Sequence, residues 1–276
     1  MTTAAQTAII TASRGNRASR RATSTLICKV PGTAVRPCAA AGHHTGVVNA
    51  DVSAGRQLDA RCVWIVDGGP RAPRRLPPGE PSCVIAVDRG LAHTLRLGLR
   101  PHVVVGDFDS IDAAMLERTR DQWPDLVVKR HDRHKAHSDL DLALSFAWGL
   151  DPAEIALLGG GGGRLDHMMV SVTMLARPQY AALPLAAYID ASVARAATAG
   201  MDMRLTTDDG NLLTLLAVGG TASLHTRGLR WNLTPTTPLA SAASLGLSNE
   251  LTVPDAEIRV QSGTVLAIQT HGKPLP

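Results

Sequence analysis

From residue 62 onward, compact apolar runs alternate with stretches of helical period. Cys62–Val66, Cys83–Val87 and Val103–Val105 are rich in β-branched residues and read as buried strands. Leu126–Lys129 and Glu154–Leu158 read as two more strands. Between them, Leu91, Leu95, Leu97 and Leu99 predict a short helix and its exit, and residues 112–121 predict a second helix. Ser138, with an acid three positions on at Asp141, predicts an N-cap. Leu140, Leu144 and Ala147 mark the buried face of the helix it opens. Five glycines, Gly159–Gly163, then lead into a helix carrying Met168, Val172 and Leu175 on one side.

Strand and helix alternating over 62–190 argue for an α/β fold, a largely parallel sheet with covering helices. After Gly200 the pattern turns to short strands, Met203–Thr207, Asn211–Val218, Thr221–Leu224, Glu257–Val260 and Thr264–Gln269, broken by Gly, Asp, Pro and Ser. This predicts a small all-β sandwich or barrel domain. Residues 1–58 lack a sustained apolar period and read as a disordered tail or sequence upstream of the true start, in preference to a transit peptide. The expected division is thus a leader over 1–58, an α/β part over 59–198 and a β part over 199–276.

Composition sharpens this picture. Aromatics make up 3% of a chain that is 45% hydrophobic, so Ala, Val and Leu must build the core. The net charge of +4 is uneven: residues 1–50 hold six bases and no acid, which leaves 22 bases against 24 acids in the rest. A near-neutral body argues against a nucleic-acid surface. No apolar run is long enough to span a membrane. Cys28, Cys38, Cys62 and Cys83 have no CxxC spacing, which disfavours zinc and fits reduced thiols in a cytoplasmic protein.

In open parallel sheets, ligands sit beyond the carboxyl ends of strands. Asp67-Gly68-Gly69, Asp88, Asp107 and the glycine run each follow a predicted strand directly. The Gly68-Gly69 turn lets a phosphate approach the backbone. The glycine run stands where phosphates bind before a helix, or serves as a flexible connection. Asp107 and Asp109, one residue apart, suit Mg²⁺, which typically takes one or two carboxylates plus substrate phosphates; the alternative is an Asp-rich turn with a helix cap. Asp139 and Asp141 read as first-turn acids facing a helix dipole. His131, His134 and His137 lie in a polar stretch and read as solvated rather than metal-binding. Trp231 reads as a core or edge aromatic, and Ser248-Asn249 as a turn.

The residues also carry a family resemblance. Val63–Pro70, Val84–Ser110 with its Gly106-Asp107-Phe108-Asp109-Ser110 stretch, Ser138–Leu144, Gly163–His167, Thr226–Leu233 and Gly246–Glu250 occur in the order found in thiamine diphosphokinase (thiamine pyrophosphokinase), and the chain is similar to that family over 62–270. The resemblance implies a nucleotide-binding α/β domain followed by a β-sandwich, and a homodimer with active sites between subunits. It implies pyrophosphoryl transfer from ATP to thiamine, giving thiamine diphosphate and AMP, dependent on Mg²⁺. By motif, Asp107 and Asp109 would hold magnesium, and Asp139 would join the same catalytic acidic centre. Gly68, Gly69, Asp88, Arg164, Asp166 and His167 would serve the nucleotide phosphates, and Ser248, Asn249 and Trp231 would approach thiamine. Two positions depart from the pattern. Arg89 stands where the family commonly has the central residue of DGG, where it would crowd a nucleotide or pair with phosphate. Ala136 replaces an acid. These departures keep two alternatives open: a catalytically weakened, ligand-binding regulatory member, or a pyrophosphokinase acting on another alcohol.

Overall fold

The computed structural model describes residues 58–272; apart from Leu58 the expected leader, with Cys28 and Cys38, lies outside them. Six strands form a parallel array: β1 Cys62–Val66, β2 Cys83–Val87, β3 Val103–Gly106, β4 Val127–Arg130, β5 Glu154–Gly159 and β6 Leu185–Ile189. Their spatial order is β6-β5-β1-β2-β3-β4. Its inner strands are apolar on both faces because parallel strands are covered on both sides, while the edge strand β4 ends in Lys129 and Arg130. Val63, Ile65, Ile85, Val103 and Val105 face one layer with Leu140 and Leu144 of helix α3, Asp139–Trp148. Ala86 and Val104 face the other way, against Leu91 of helix α1, Gly90–Arg96, and Leu116 of helix α2, Ala113–Gln122. Leu144 is 1% exposed. Truncating it to alanine costs about 2–5 kcal/mol, the usual range for a buried leucine.

The predicted N-cap holds: the Ser138 side chain accepts from the Asp141 N–H and starts α3. The predicted helix after the glycines, α4 Leu165–Thr173, differs from expectation in how it packs. It has no buried residue, and Leu165, Met169 and Val170 are more than half exposed. Leu175 is buried, but in the single 3-10 turn Met174–Ala176 that follows.

The second half does not form a detached sandwich. Strands β7 Ser192–Thr198, β9 Leu212–Ala217, β11 Asn249–Glu250 and β13 Thr264–Thr270 extend the parallel array into one ten-stranded sheet, in the order β11-β9-β13-β7-β6. Antiparallel pairing starts at β7, ahead of Gly200, where Ile189 meets Ser192 and Ala186 meets Arg195. The sequence masks this hairpin because alanine, a poor strand former, dominates it. A three-stranded sheet, β10 Ser223–Arg227, β12 Asp255–Ser262 and β8 Asp202–Thr206, packs on the extension. Met203, Leu205, Leu224, Ile258 and Val260 meet Leu213, Leu215, Val265 and Ala267 in a second core, which is the sandwich.

Candidate active site

Strand β1 pairs with β2 on one side and β5 on the other, so the chain's crossovers change direction between β1 and β5. Open parallel sheets bind ligands at such a switch point, beyond the carboxyl ends. A cleft of about 590 Å³ lies there, walled by the turn after β1, the turn after β2, the glycine run after β5 and the start of α3. The first two turns interlock. A Cβ on Gly90 would stand 2.1 Å from the Val66 carbonyl oxygen, and one on Gly68 2.8 Å from that of Val87. His93, 5% exposed, donates from Nε2 to the Gly69 carbonyl at 2.8 Å while Arg96 donates to its Nδ1, which fixes the Gly68-Gly69 turn from behind.

The glycine run is a built wall rather than a loose connection. Gly161, Gly162 and Gly163 all have φ between 67° and 78°. A side chain at three successive left-handed positions costs roughly 1–2 kcal/mol each, so only glycine suits. A Cβ at Gly160 would lie 2.1 Å from the Arg71 carbonyl oxygen, so the loop after β1 rests on this run.

Three carboxylates form the acidic centre. Asp88, at φ 45°, turns its side chain inward, and its Oδ1 would be 1.8 Å from a Cβ at Gly106. Burial, with Asp139 and Asp107 nearby, pushes the Asp88 carboxyl up to about 7. Asp107 accepts from the Asp109 N–H at 3.0 Å, and this bond, aided by Lys135, holds it below the usual carboxylate range. Lys135 Nζ lies 3.0 Å from Asp139 Oδ1 and 4.0 Å from Asp107 Oδ2. Asp139 Oδ1 is buried without an aligned hydrogen bond. Asp67, in the turn after β1, is pushed up by burial.

Asp107 and Asp109 are joined by a left-handed Phe108 at φ 64°, and Asp109 also pairs with Arg133 at 3.0 Å. Among the described residues, no three His, Cys, Asp or Glu side chains gather in metal-ligand geometry. His131 is half-buried, and burial lowers its pKa. His134 and His137 are exposed, and His137 donates to Asp141 at 3.0 Å. The donor chemistry at Asp107 and Asp139 nonetheless fits magnesium. Both offer hard carboxylate oxygens, and this ion rarely uses an all-protein cage, taking the rest of its shell from water and phosphate.

Gly68, Gly69, Asp88, Asp139, Arg164, Asp166 and His167 line the same cleft, as motif order implies. Arg164 and Asp166 are engaged with each other through two bonds, Nε to Oδ1 at 3.1 Å and a second at 2.5 Å. That fork holds Asp166 down to about 2. The β-region residues are elsewhere: none of Trp231, Ser248 and Asn249 lines the cleft. Asn249 is 2% exposed, and its side chain is spent on backbone. Its Nδ2 donates to the Trp231 carbonyl at 2.7 Å, and its Oδ1 accepts from the Trp231 and Glu250 N–H groups. Trp231 itself is 49% exposed, with the Arg230 guanidinium 5.0 Å over its ring. Ser248 is exposed at φ 55°. Sequence reasoning missed Lys135 as a member of the centre. It lies in the polar loop before α3, where no periodicity marks it.

An open parallel array with a glycine-walled, carboxylate-rich cleft at its switch point is the arrangement of α/β proteins with ligand sites at the strand ends. Comparison with known proteins narrows the class. The family description "Thiamin pyrophosphokinase, catalytic domain" matches residues 80–187, and "Thiamin pyrophosphokinase, vitamin B1 binding domain" matches 201–265. The chain is 36% identical over 121 residues to thiamine pyrophosphokinase of Bacillus subtilis, a match covering 42% of this chain and 54% of that protein, about half its length. It is 27% identical over 215 residues to thiamine pyrophosphokinase 1 of Oryza sativa, covering 75% and 77%. The crystal structure of the Geobacillus thermodenitrificans thiamin pyrophosphokinase superposes with a TM-score of 0.66 at 28% identity, over 77% of this chain and 98% of that one. The chain belongs to the thiamine pyrophosphokinase family.

Proposed function

We propose that this chain transfers a pyrophosphoryl group from ATP to the hydroxyl of thiamine, giving thiamine diphosphate and AMP. The observation that carries the reading is the coincidence of the switch-point cleft, lined by Asp88 and Asp139 with Asp107 beside them at Lys135, with the catalytic family match, followed by the vitamin B1 match over the β region. The thiamine oxygen attacks the β-phosphorus of ATP. The bond from that phosphorus to the oxygen bridging to the α-phosphate breaks, and AMP leaves with that oxygen. Such transfers depend on positioning and charge neutralisation more than on covalent chemistry.

The chain's residues divide those tasks. The Gly68-Gly69 turn and the left-handed glycines let phosphates approach the backbone, beside Arg164, Asp166 and His167. Asp107 or Asp139 takes the proton of the thiamine hydroxyl. Asp107, Asp109 and Asp139 would hold magnesium, which supplies charge neutralisation on the phosphate oxygens when bound. The fixed positive charge of the thiazolium ring suits a carboxylate-rich cleft.

The working form in this reading is a homodimer. Trp231, Ser248 and Asn249 lie outside the cleft of their own chain, and a second copy would bring them to it. The exposed Leu165, Met169 and Val170 of α4, on the rim of the cleft, offer the apolar surface for that contact. Among the described residues no helix is long and apolar enough to cross a membrane. The free thiols Cys62 and Cys83 suit a reducing cytoplasm.

The test is a product assay with purified protein, ATP, Mg²⁺ and thiamine. AMP and thiamine diphosphate should form in equal amounts. AMP without thiamine diphosphate, or neither product, would overturn the reading. Sedimentation should give a dimer that Met169→Asp disrupts.

A further inference from the structure

Arg89 is the cleft residue that the division of tasks above leaves without a role. It follows β2 directly, between Asp88 and Gly90, and it is exposed. It lines the main cleft and also a side cavity of about 240 Å³ that includes Leu91, Ile111 and Met115. The two cavities share Gly69, Pro70, Asp88, Arg89 and Ser110, so Arg89 stands at their junction.

Its backbone is fixed and its side chain is free. The Arg89 N–H group lies 3.2 Å from where a Gly68 Cβ would stand, and Gly90 is pressed against the Val66 carbonyl. Three cations at this edge are taken, Arg164 by Asp166, Lys135 by Asp139 and Arg133 by Asp109, and Arg71, against Gly162, does not line the cleft. The Arg89 carbonyl accepts from the Ala92 N–H, but its side chain makes no hydrogen bond or ion pair among the described residues, although Asp67, Asp88, Asp139 and Asp166 line the same cleft. The neighbouring Asp88 does not claim it, because that carboxylate turns inward to the Phe108 N–H.

A polyphosphate entering this cleft meets four carboxylates and needs a cation to offset them. A guanidinium presents a planar fork of donors matched to phosphate oxygens. We infer that Arg89 is a polyphosphate-binding residue of this chain, gripping the phosphate chain where the two cavities meet. Asp166, Asp139 and Asp109 already have their own cations, so the Arg89 charge is available to the phosphate chain, and tripolyphosphate binds here without a divalent cation. Naming ATP as the ligand rests on the transfer reaction proposed above; the grip itself requires only a polyphosphate.

The experiment is calorimetric titration of the full chain in EDTA with tripolyphosphate, ATP and adenosine, for the wild type, Arg89→Gln and Arg89→Lys. Arg89→Gln should weaken tripolyphosphate and ATP roughly 10-fold to 100-fold, the range for hydrogen bonds to charged groups. Arg89→Lys should recover part of that loss. Adenosine binding should not change and the melting temperature should stay within about a degree or two, since the side chain is exposed and holds no hydrogen bond or ion pair. Equal tripolyphosphate affinity in wild type and Arg89→Gln, or none in the wild type, would overturn the inference. A wild type that binds tripolyphosphate through Arg89 yet makes no thiamine diphosphate would remove the transfer reaction and leave the grip standing. Undiminished transfer by Arg89→Gln at an unchanged ATP KM would do the reverse.

Discussion

Lys135 Nζ stands 3.0 Å from Asp139 Oδ1, with each side chain only 16% exposed, so the acidic centre carries its own internal cation. Asp107 shares that cation at 4.0 Å. The consequence is that the centre is folded and charge-compensated before any ligand arrives.

Removing the ammonium exposes the repulsion it offsets. Lys135→Met should lower unfolding free energy by about 2 kcal/mol or more at pH 8, because it strands a largely buried carboxylate. The deficit should shrink as salt concentration is raised, since ions screen both the lost attraction and the exposed repulsion. Urea unfolding at low and high salt measures this, and a deficit independent of salt would show that Lys135 acts through packing alone.

Asp88 should leave its own signature. Its carboxyl sits at about 7 in the fold against an ordinary 3.8. Between those values the folded chain holds a proton that the unfolded chain has lost, so stability falls as pH rises through that window and the penalty is complete above it. Asp88→Asn keeps the acceptor for the Phe108 N–H and the fit against Gly106. Its melting temperature in EDTA should gain on the wild type from pH 4 to pH 7 and hold that gain at pH 8. A constant difference across the range would place the shift elsewhere.

Asn249 and Trp231 should separate structure from recognition. Asn249→Ala removes the three bonds that pin the Trp231 and Glu250 backbone and should cost about 1–3 kcal/mol of stability, with a raised thiamine KM. Trp231→Ala, at a half-exposed ring, should raise the thiamine KM and leave the melting temperature within about a degree or two. An Asn249→Ala protein of full stability would remove the clamp from the account.

Asp107 and Asp109 should differ in a way their spacing alone does not predict. Asp107 lies against Lys135, whereas Asp109 is paired with Arg133 at the surface, 41% exposed. Asp107→Asn should reduce turnover by about 100-fold or more, the scale of losing a preorganised electrostatic group. Asp109→Asn should cost less and should raise the Mg²⁺ concentration needed for half-maximal rate. Equal losses in both variants would favour a symmetric pair closing on the metal.

Strands β1, β2, β3 and β5 were legible in the sequence because buried strands are short unbroken apolar runs, and each of these ends in, or runs directly into, an Asp or Gly at the ligand edge. The Ser138 cap was legible for the same reason: its chemistry is local. What stayed hidden depended on distant partners. The Ala-rich hairpin of β6 and β7 has weak strand propensity and is ordered by pairing with β5 and β13. The left-handed run at Gly161–Gly163 read equally as a loose linker, since only packing against Arg71 and Pro70 reveals a wall. Asn249 was legible as a motif, but its buried side chain proves to hold a neighbouring segment in place. Lys135 was masked by a polar loop that gives no periodic signal.

The placement of β13 sets an order of assembly. It lies between β7 and β9, pairing Leu266 with Ala196 on one side and with Leu216 on the other. Strands β9 and β11 therefore have no seat in the sheet until β13, the last described strand, is available. During synthesis the parallel array with its cleft can form while the following segments wait, exposing the apolar faces of Leu213 and Leu215 meanwhile. A ribosome-stalled chain ending just before Thr264 should accordingly hold a formed catalytic half and a protease-sensitive remainder, and addition of the final strand should protect both at once.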